Sequence, residues 1–123
     1  MKRKKNTMSL EEKTYQRKLD YSLWHRKLPS YCKAWNIDFV EVRNGRIVAF
    51  MEVAETIYPL ELVDLKFKLG HKWLLDTLTK LTGIPSYIMF HNPNLTQFKV
   101  FNLFKGDVKL YDEKEYRNFL LAL

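Results

Sequence analysis

Two carboxylates, Asp38 and Glu52, interrupt otherwise apolar runs of the chain, IDFV and IVAFMEV. Runs of this kind are typical of β-strands that are covered on both faces. A carboxylate in such a strand loses hydration and needs a cation, a hydrogen-bond network or a proton. Two of them on neighbouring strands suggest a divalent metal site. The alternative is a pair of edge residues that accept hydrogen bonds from backbone amides.

The turn between the two runs decides whether the carboxylates share a face of the sheet. Asn44-Gly45 is a hairpin signal. A two-residue turn there would put Asp38 and Glu52 on opposite faces. A three-residue loop that begins at Arg43, with Gly45 left-handed in a bulge, would make them diagonal neighbours on one face. The sequence permits both turns, so a shared metal site predicts the bulged loop.

Hydrophobic periodicity predicts an α/β (α+β) fold in which a mixed central sheet lies between helices. Capping boxes mark two helix starts, at Ser9 with Glu12 and at Asp112 with Glu115. The predicted order is helix 9–28, a connector or short edge strand at 31–34, the hairpin 36–55, helix 64–81, strands 84–90, 97–104 and 108–110, and helix 113–121.

Composition limits the classes of protein that fit. The chain has 123 residues, 46% of them apolar, which suffices for one core and excludes a disordered chain. The single cysteine, Cys32, excludes an internal disulfide and a multi-cysteine zinc site, and fits a reducing, cytoplasmic environment. No apolar run approaches the roughly 20 residues that span a bilayer. We expect a disordered basic leader at 1–8 and a single domain at 9–123.

Positive charge is concentrated near the N-terminal end. The net charge is +7, and residues 1–27 hold nine Lys or Arg against three acids. A basic segment of this kind favours contact with nucleic-acid phosphates, with salt-sensitive affinity. The alternative is a leader that only aids solubility. The predicted nucleic-acid-binding residues are Lys2, Arg3, Lys4, Lys5, Arg17, His25 and Arg26.

The order of acidic residues and elements resembles the PD-(D/E)XK nuclease superfamily, which includes archaeal Holliday-junction resolvases and many restriction enzymes. The pattern is an Asp in one strand, a hairpin and Glu-X-Lys in the next strand, with a helix before and after. NID at 36–38 takes the place of Pro-Asp, and EVA at 52–54 takes the place of Glu-X-Lys. The resemblance covers roughly residues 9–104 and includes the segment WHR…LP ahead of IDFVE, as in small viral and phage members.

The resemblance implies a restriction-endonuclease-like core and metal-dependent hydrolysis of DNA phosphodiester bonds, in branched or single-stranded DNA. Asp38 and Glu52 would hold Mg²⁺ or Mn²⁺, with the backbone carbonyl of Val53 as a further ligand. Oxygen ligands suit Mg²⁺, and the cation would activate a water molecule and neutralise charge in the transition state. Relatives commonly act as dimers, so the resemblance also allows a homodimer.

Ala54 departs from the pattern, because the family lysine stands at that place. In some relatives the following helix supplies the lysine, and Lys72 is the first candidate here, with Lys66 and Lys68 behind it. His71, on the apolar stripe of the same helix, is expected to be a core histidine. The alternative function is a catalytically inactive nucleic-acid-binding protein on the same fold. A third is an interaction module without a nucleic-acid role.

Overall fold

The structure, a computed structural model, describes residues 19–123. The predicted leader 1–8, the capping box at Ser9 and the first part of the predicted helix 9–28 lie outside them. The helices and strands are α1 (Leu19–His25), β1 (Phe39–Arg43), β2 (Arg46–Glu55), α2 (Leu69–Thr82), β3 (Ser86–His91), β4 (Gln97–Asn102), β5 (Asp107–Asp112) and α3 (Glu113–Leu121). Two 3₁₀ turns, Leu60–Leu62 and Leu65–Lys68, lie between β2 and α2.

The chain divides into two compact units between Trp35 and Asn36. The described part of the first unit carries α1, which ends four residues before Pro29. Trp24 stacks on Tyr21 within this helix, with ring centroids 5.6 Å apart. The edge strand considered for residues 31–34 does not form, and this segment is a turn followed by irregular backbone.

The second unit, Asn36–Leu123, is built on a five-stranded sheet in the order β1-β2-β3-β4-β5. β2 and β3 are parallel, and α2 lies in the crossover between them. The other three pairs of neighbouring strands are antiparallel. A mixed sheet with helices on its flanks confirms the predicted α+β class.

Successive side chains of β2 enter two different apolar clusters, because a strand alternates its side chains between the faces of a sheet. Ala49 and Met51 belong to the cluster that includes residues of α3, and this side is called the α3 face below. Phe50 belongs to the cluster that includes Leu75 and Leu78 of α2, on the opposite α2 face. The sheet is therefore packed with helices on both sides.

The predicted helix 64–81 forms as a 3₁₀ turn followed by α2, and its buried stripe differs from the predicted one. Leu75 is 2% exposed, whereas Phe67 and Leu81 of the predicted stripe are 54% and 78% exposed. A 3₁₀ turn advances by about 120° per residue against about 100° in an α-helix, so Phe67, within the turn, leaves the stripe that an unbroken helix would give it, whereas Leu78 packs on the α2 face as predicted. Gly83 ends α2 in a left-handed conformation, with φ 76°.

The last helix begins at the predicted residue. Asp112 accepts a hydrogen bond from the Glu115 N–H, and the Glu115 side chain accepts one from the Asp112 N–H, both at 2.8 Å. This reciprocal pair is the predicted capping box. Tyr116 and Phe119 of α3 then pack on the sheet, with Tyr116 stacked on Phe98 at 4.3 Å.

Candidate metal centre

The hairpin places the two carboxylates on one face by a bulge that the sequence analysis did not locate. Arg43 is opposite Arg46, so the turn is the two-residue Asn44-Gly45, with φ 54° and 75°, and the predicted three-residue loop is wrong. Further along, Val42 is opposite Ile47 but Glu41 is opposite Ala49. Val48 is therefore an extra residue in β2, which shifts the register by one.

The shifted register brings Asp38 beside Glu52. The ladder ends with Phe39 opposite Met51, so Asp38, at a bend, and Glu52 are the next residues of the two chains, and Asp38 is near enough for its charge to act on Glu52. Directly opposed residues of an antiparallel pair point to the same face. This is the α2 face, because Glu52 alternates with Met51 of the α3 face. The shared face that a bulged hairpin predicts is therefore found, although the bulge lies at Val48 and the turn has only two residues.

Asp38 also binds the backbone of the neighbouring strand. Its Oδ2 accepts a hydrogen bond from the Val53 N–H at 2.9 Å. The Val53 N–H thus points to the β1 side, as the N–H and C=O of one strand residue do together. The ladder between β1 and β2 ends at Phe39 and Met51. The Val53 carbonyl accordingly lies on the same strand edge as the Asp38 carboxylate, beyond the last ladder pair.

Glu52 is the buried charged group of the site. Its side chain is 5% exposed, and Oε2 accepts a hydrogen bond from Lys68 Nζ at 3.1 Å. Among the described residues, Oε1 is buried and has no hydrogen-bond partner. A buried carboxylate oxygen without a partner costs free energy, so this atom is available to a cation or to a donor that is added to the site.

The surroundings of Glu52 disfavour its ionised form. Burial raises the pKa of Glu52 above its ordinary value of 4.5, and the negative charge of Asp38 adds to the increase. The hydrogen bond from Lys68 lowers the pKa, as do the charges of His71 and Lys68, but the upward effects prevail. A divalent cation beside both carboxylates would reverse this balance, because it favours their ionised forms.

Lys68, and not Lys72, is the lysine that reaches Glu52. Lys72 Nζ donates to Asp76 Oδ2 at 2.7 Å, one turn further along α2. Lys66 Nζ lies 3.9 Å from Asp64 in an exposed pair. Ala54 is on the same face as Glu52 and packs in the apolar cluster there. The positive charge beside Glu52 comes from Lys68, at the end of the 3₁₀ turn before α2.

His71 lies beside Glu52 and not in the apolar core, where the sequence analysis expected it. Its Nε2 is 3.5 Å from Glu52 Oε2, and its side chain is 29% exposed. α2 is held over the sheet by Ser86, whose hydroxyl donates to the Leu75 carbonyl at 3.1 Å and lies 2.7 Å from Thr79 Oγ1. The sequence contains one signal for this arrangement, because Lys68, His71 and Leu75 are spaced so that they can lie on one side of a helix.

Five of the predicted nucleic-acid-binding residues lie outside the described part of the chain, and the other two belong to the first unit. Lys2, Arg3, Lys4, Lys5 and Arg17 lie outside residues 19–123. His25 is the last residue of α1, and Arg26 follows it in a turn with an exposed side chain. The Arg26 N–H donates to the Ser22 carbonyl at 3.1 Å, which continues the hydrogen bonding of the helix by one residue.

The side chains offer an incomplete ligand set. In residues 19–123, no group of three or more His, Cys, Asp or Glu side chains is arranged to hold a metal ion. The donors are two carboxylates and one backbone carbonyl, with Glu52 Oε1 buried and unpartnered. Mg²⁺ is commonly bound by one or two carboxylates and keeps several waters, so this donor set fits it better than zinc or calcium.

Comparisons with known proteins find no matching family model, no matching curated protein and no matching solved structure. A search of the helices in residues 19–123 finds none with the length and apolar character needed to cross a bilayer.

Proposed function

We propose that this chain is a metal-dependent nuclease that hydrolyses DNA phosphodiester bonds. The observation that carries the proposal is Glu52, a buried carboxylate with one unpartnered oxygen, near a second carboxylate, Asp38. This pair is unfavourable in the protein alone and becomes favourable when a divalent cation binds. Asp38, Glu52 and the Val53 carbonyl would hold Mg²⁺ or Mn²⁺, as the sequence resemblance implies.

Each group of the site has a distinct part in the proposed reaction. The bound cation supplies Lewis-acid activation of water and neutralises charge that develops on the phosphate. Asp38 is oriented by the Val53 N–H, so its carboxylate is fixed before the cation arrives. Lys68 supplies a positive charge and hydrogen-bond donors beside Glu52, the part that a lysine at position 54 would otherwise have.

The proposal is tested by cleavage of labelled single-stranded, duplex and branched DNA with Mg²⁺, with Mn²⁺ and with EDTA. We expect metal-dependent cleavage that Asp38→Asn and Glu52→Gln abolish. Lys68→Ala should slow it by about a hundredfold, in the range of a positioned charged or proton-transferring group. Lys72→Ala is the matched control and should be close to unaltered, because its partner is Asp76.

A transplanted lysine tests the assignment of Lys68 separately. Ala54→Lys in the Lys68→Ala background returns an ammonium to the strand next to Glu52, and we expect it to restore part of the activity. Absence of cleavage of every DNA substrate by the unaltered chain, with either metal, would overturn the proposed nuclease function.

A second function, nucleic-acid binding without cleavage, is favoured by Ala54 together with the nine Lys or Arg in residues 1–27. It predicts DNA binding that weakens with salt and with deletion of residues 1–8, and that persists in Asp38→Asn. Binding without cleavage would support this second function. Absence of binding would leave the third alternative, an interaction module, to be tested by partner capture.

A further inference from the structure

We propose that the two oxygens of Glu52 have different tasks, and that His71 is a positioning residue for the metal. Oε2 is held by the protein, through Lys68 and His71, and Oε1 is the oxygen that a divalent cation takes. This inference rests on the proposed function, because it concerns the same metal centre. It adds a specific orientation of the carboxylate and a residue that controls it.

The contacts of the two oxygens differ in number and in kind. Oε2 has Lys68 Nζ at 3.1 Å and His71 Nε2 at 3.5 Å. Oε1 has no hydrogen-bond partner among the described residues, although it is buried. The hydrogen bond to Oε2 restricts rotation of the carboxylate about its terminal bond, and Oε1 keeps its full capacity to accept. Asp38, on the same face, adds its negative charge near Glu52.

The two side chains beside Oε2 come from neighbouring parts of the chain. Lys68 is the last residue of a 3₁₀ turn, and His71 is in the first turn of α2. The His71 ring is directed toward Glu52 from a helix that Leu75 and Ser86 fix to the sheet. Lys68 has a long flexible chain, whereas the imidazole of His71 has two torsions, so the His71 ring loses less conformational entropy when it is held beside Oε2.

A different arrangement, called a latch here, would have the Lys68 ammonium occupy the position of the metal. In a latch, Lys68 and the cation would compete for one oxygen, and cation binding would move the lysine away. With separate oxygens, Lys68 stays on Oε2 while the cation is on Oε1, and Glu52 bridges the two positive charges. The ammonium is then retained beside the cation, where the proposed reaction needs it.

A crystal of the unaltered chain soaked with Mn²⁺ alone separates these arrangements by the anomalous signal of the metal. We expect Mn²⁺ on Oε1, with Lys68 Nζ still bound to Oε2. Mn²⁺ on Oε2, with Lys68 displaced, would overturn the inference and leave the proposed function standing. Absence of Mn²⁺ from Asp38 and Glu52 at saturating metal would overturn both.

Titration of Mn²⁺ by electron paramagnetic resonance, without nucleic acid, tests His71 without any need for activity. His71→Ala should weaken Mn²⁺ binding by about tenfold or more, as loss of a group that orients a ligand usually does. His71→Gln keeps a donor of similar reach and should restore most of the affinity, which a purely structural role would not require. His91→Gln is the matched control, since His91 is half-buried at the end of β3. Equal Mn²⁺ affinity in His71→Ala, with the fold intact by circular dichroism, would overturn the role of His71.

Discussion

Replacing Glu52 by glutamine should stabilise the metal-free protein at neutral pH while it removes the metal site. Glutamine has nearly the same shape, and its amide oxygen remains an acceptor for Lys68. The substitution removes the negative charge that lies near Asp38, and it puts an amide NH2, which can donate to the nearby Asp38 carboxylate, in place of the buried oxygen that has no partner. The same side chain that we propose as a metal ligand should therefore be a source of instability when the metal is absent.

The size of this stabilisation follows from the surroundings of the two carboxylate oxygens. A buried acceptor without a partner costs about 1–3 kcal/mol. Exchange of the charged acceptor for a neutral one weakens the bond from Lys68 by about 1 kcal/mol, because charge-assisted bonds are roughly twice as strong as neutral ones. The net effect is a stabilisation on the order of 1 kcal/mol, the difference of these two quantities. For a chain of 123 residues this raises Tm by about 3–6 °C.

The effect should depend on pH, because only the ionised form of Glu52 is penalised. The raised pKa means that the folded state binds this proton more tightly than the unfolded state. The penalty is absent below the ordinary value of 4.5, grows as the pH rises through that value and the raised pKa, and is complete above both. The stability advantage of Glu52→Gln over the unaltered chain should grow over the same window.

Urea unfolding in EDTA, followed by circular dichroism at several pH values, measures this difference. Glu55→Gln is the matched control, since Glu55 is an exposed glutamate at the end of the same strand. Saturating Mn²⁺ should then stabilise the unaltered chain and not Glu52→Gln, because only a ligand of the folded state shifts the equilibrium. A Glu52→Gln protein that is less stable at neutral pH, or an advantage that is constant with pH, would refute the reasoning.

Three further changes test the fold that supports the site. Leu75→Ala should lower the free energy of unfolding by about 2–5 kcal/mol in urea, whereas Leu81→Ala at an exposed position should change it by less than about 0.5 kcal/mol. Gly83→Ala should cost about 1–2 kcal/mol in the same assay, because φ there is +76°. Asp112→Ala should cost about 1 kcal/mol by thermal unfolding through loss of the capping box. An unchanged stability of the Leu75, Gly83 or Asp112 variant would contradict the structural role given to that residue.

Local sequence signals were sufficient for much of the fold. Helix α3 begins and ends at the predicted residues 113 and 121, because a capping box fixes its start. The hairpin and the strands after it were also predicted, since their apolar runs and turn residues act over short distances. These signals require no knowledge of what packs against them.

Long-range packing decided the features that the sequence did not reveal. Lys72 was the first of three candidate lysines, and packing instead brings Lys68, at the end of the 3₁₀ turn before α2, and His71 to Glu52. The register of the hairpin was predicted from the turn alone, and the turn is the tight one. A bulge inside a strand has no reliable sequence signal, because it is set by the pairing on both of its sides.

The bulge at Val48 makes the site sensitive to the length of the hairpin and not only to its residues. Asp38 and Glu52 are both even-numbered, and a tight turn centred between Asn44 and Gly45 would pair even positions with odd ones. The extra residue changes that parity. Deletion of Val48 would remove the unpaired residue and keep every pair of the ladder, so Asp38 and Glu52 should stay in the register they have now. One residue inserted elsewhere in the hairpin arms, or a slip of β2 that pairs Val48 with Glu41, would place the two carboxylates on opposite faces. The site thus depends on how many residues separate the two carboxylates and on which of them is left unpaired.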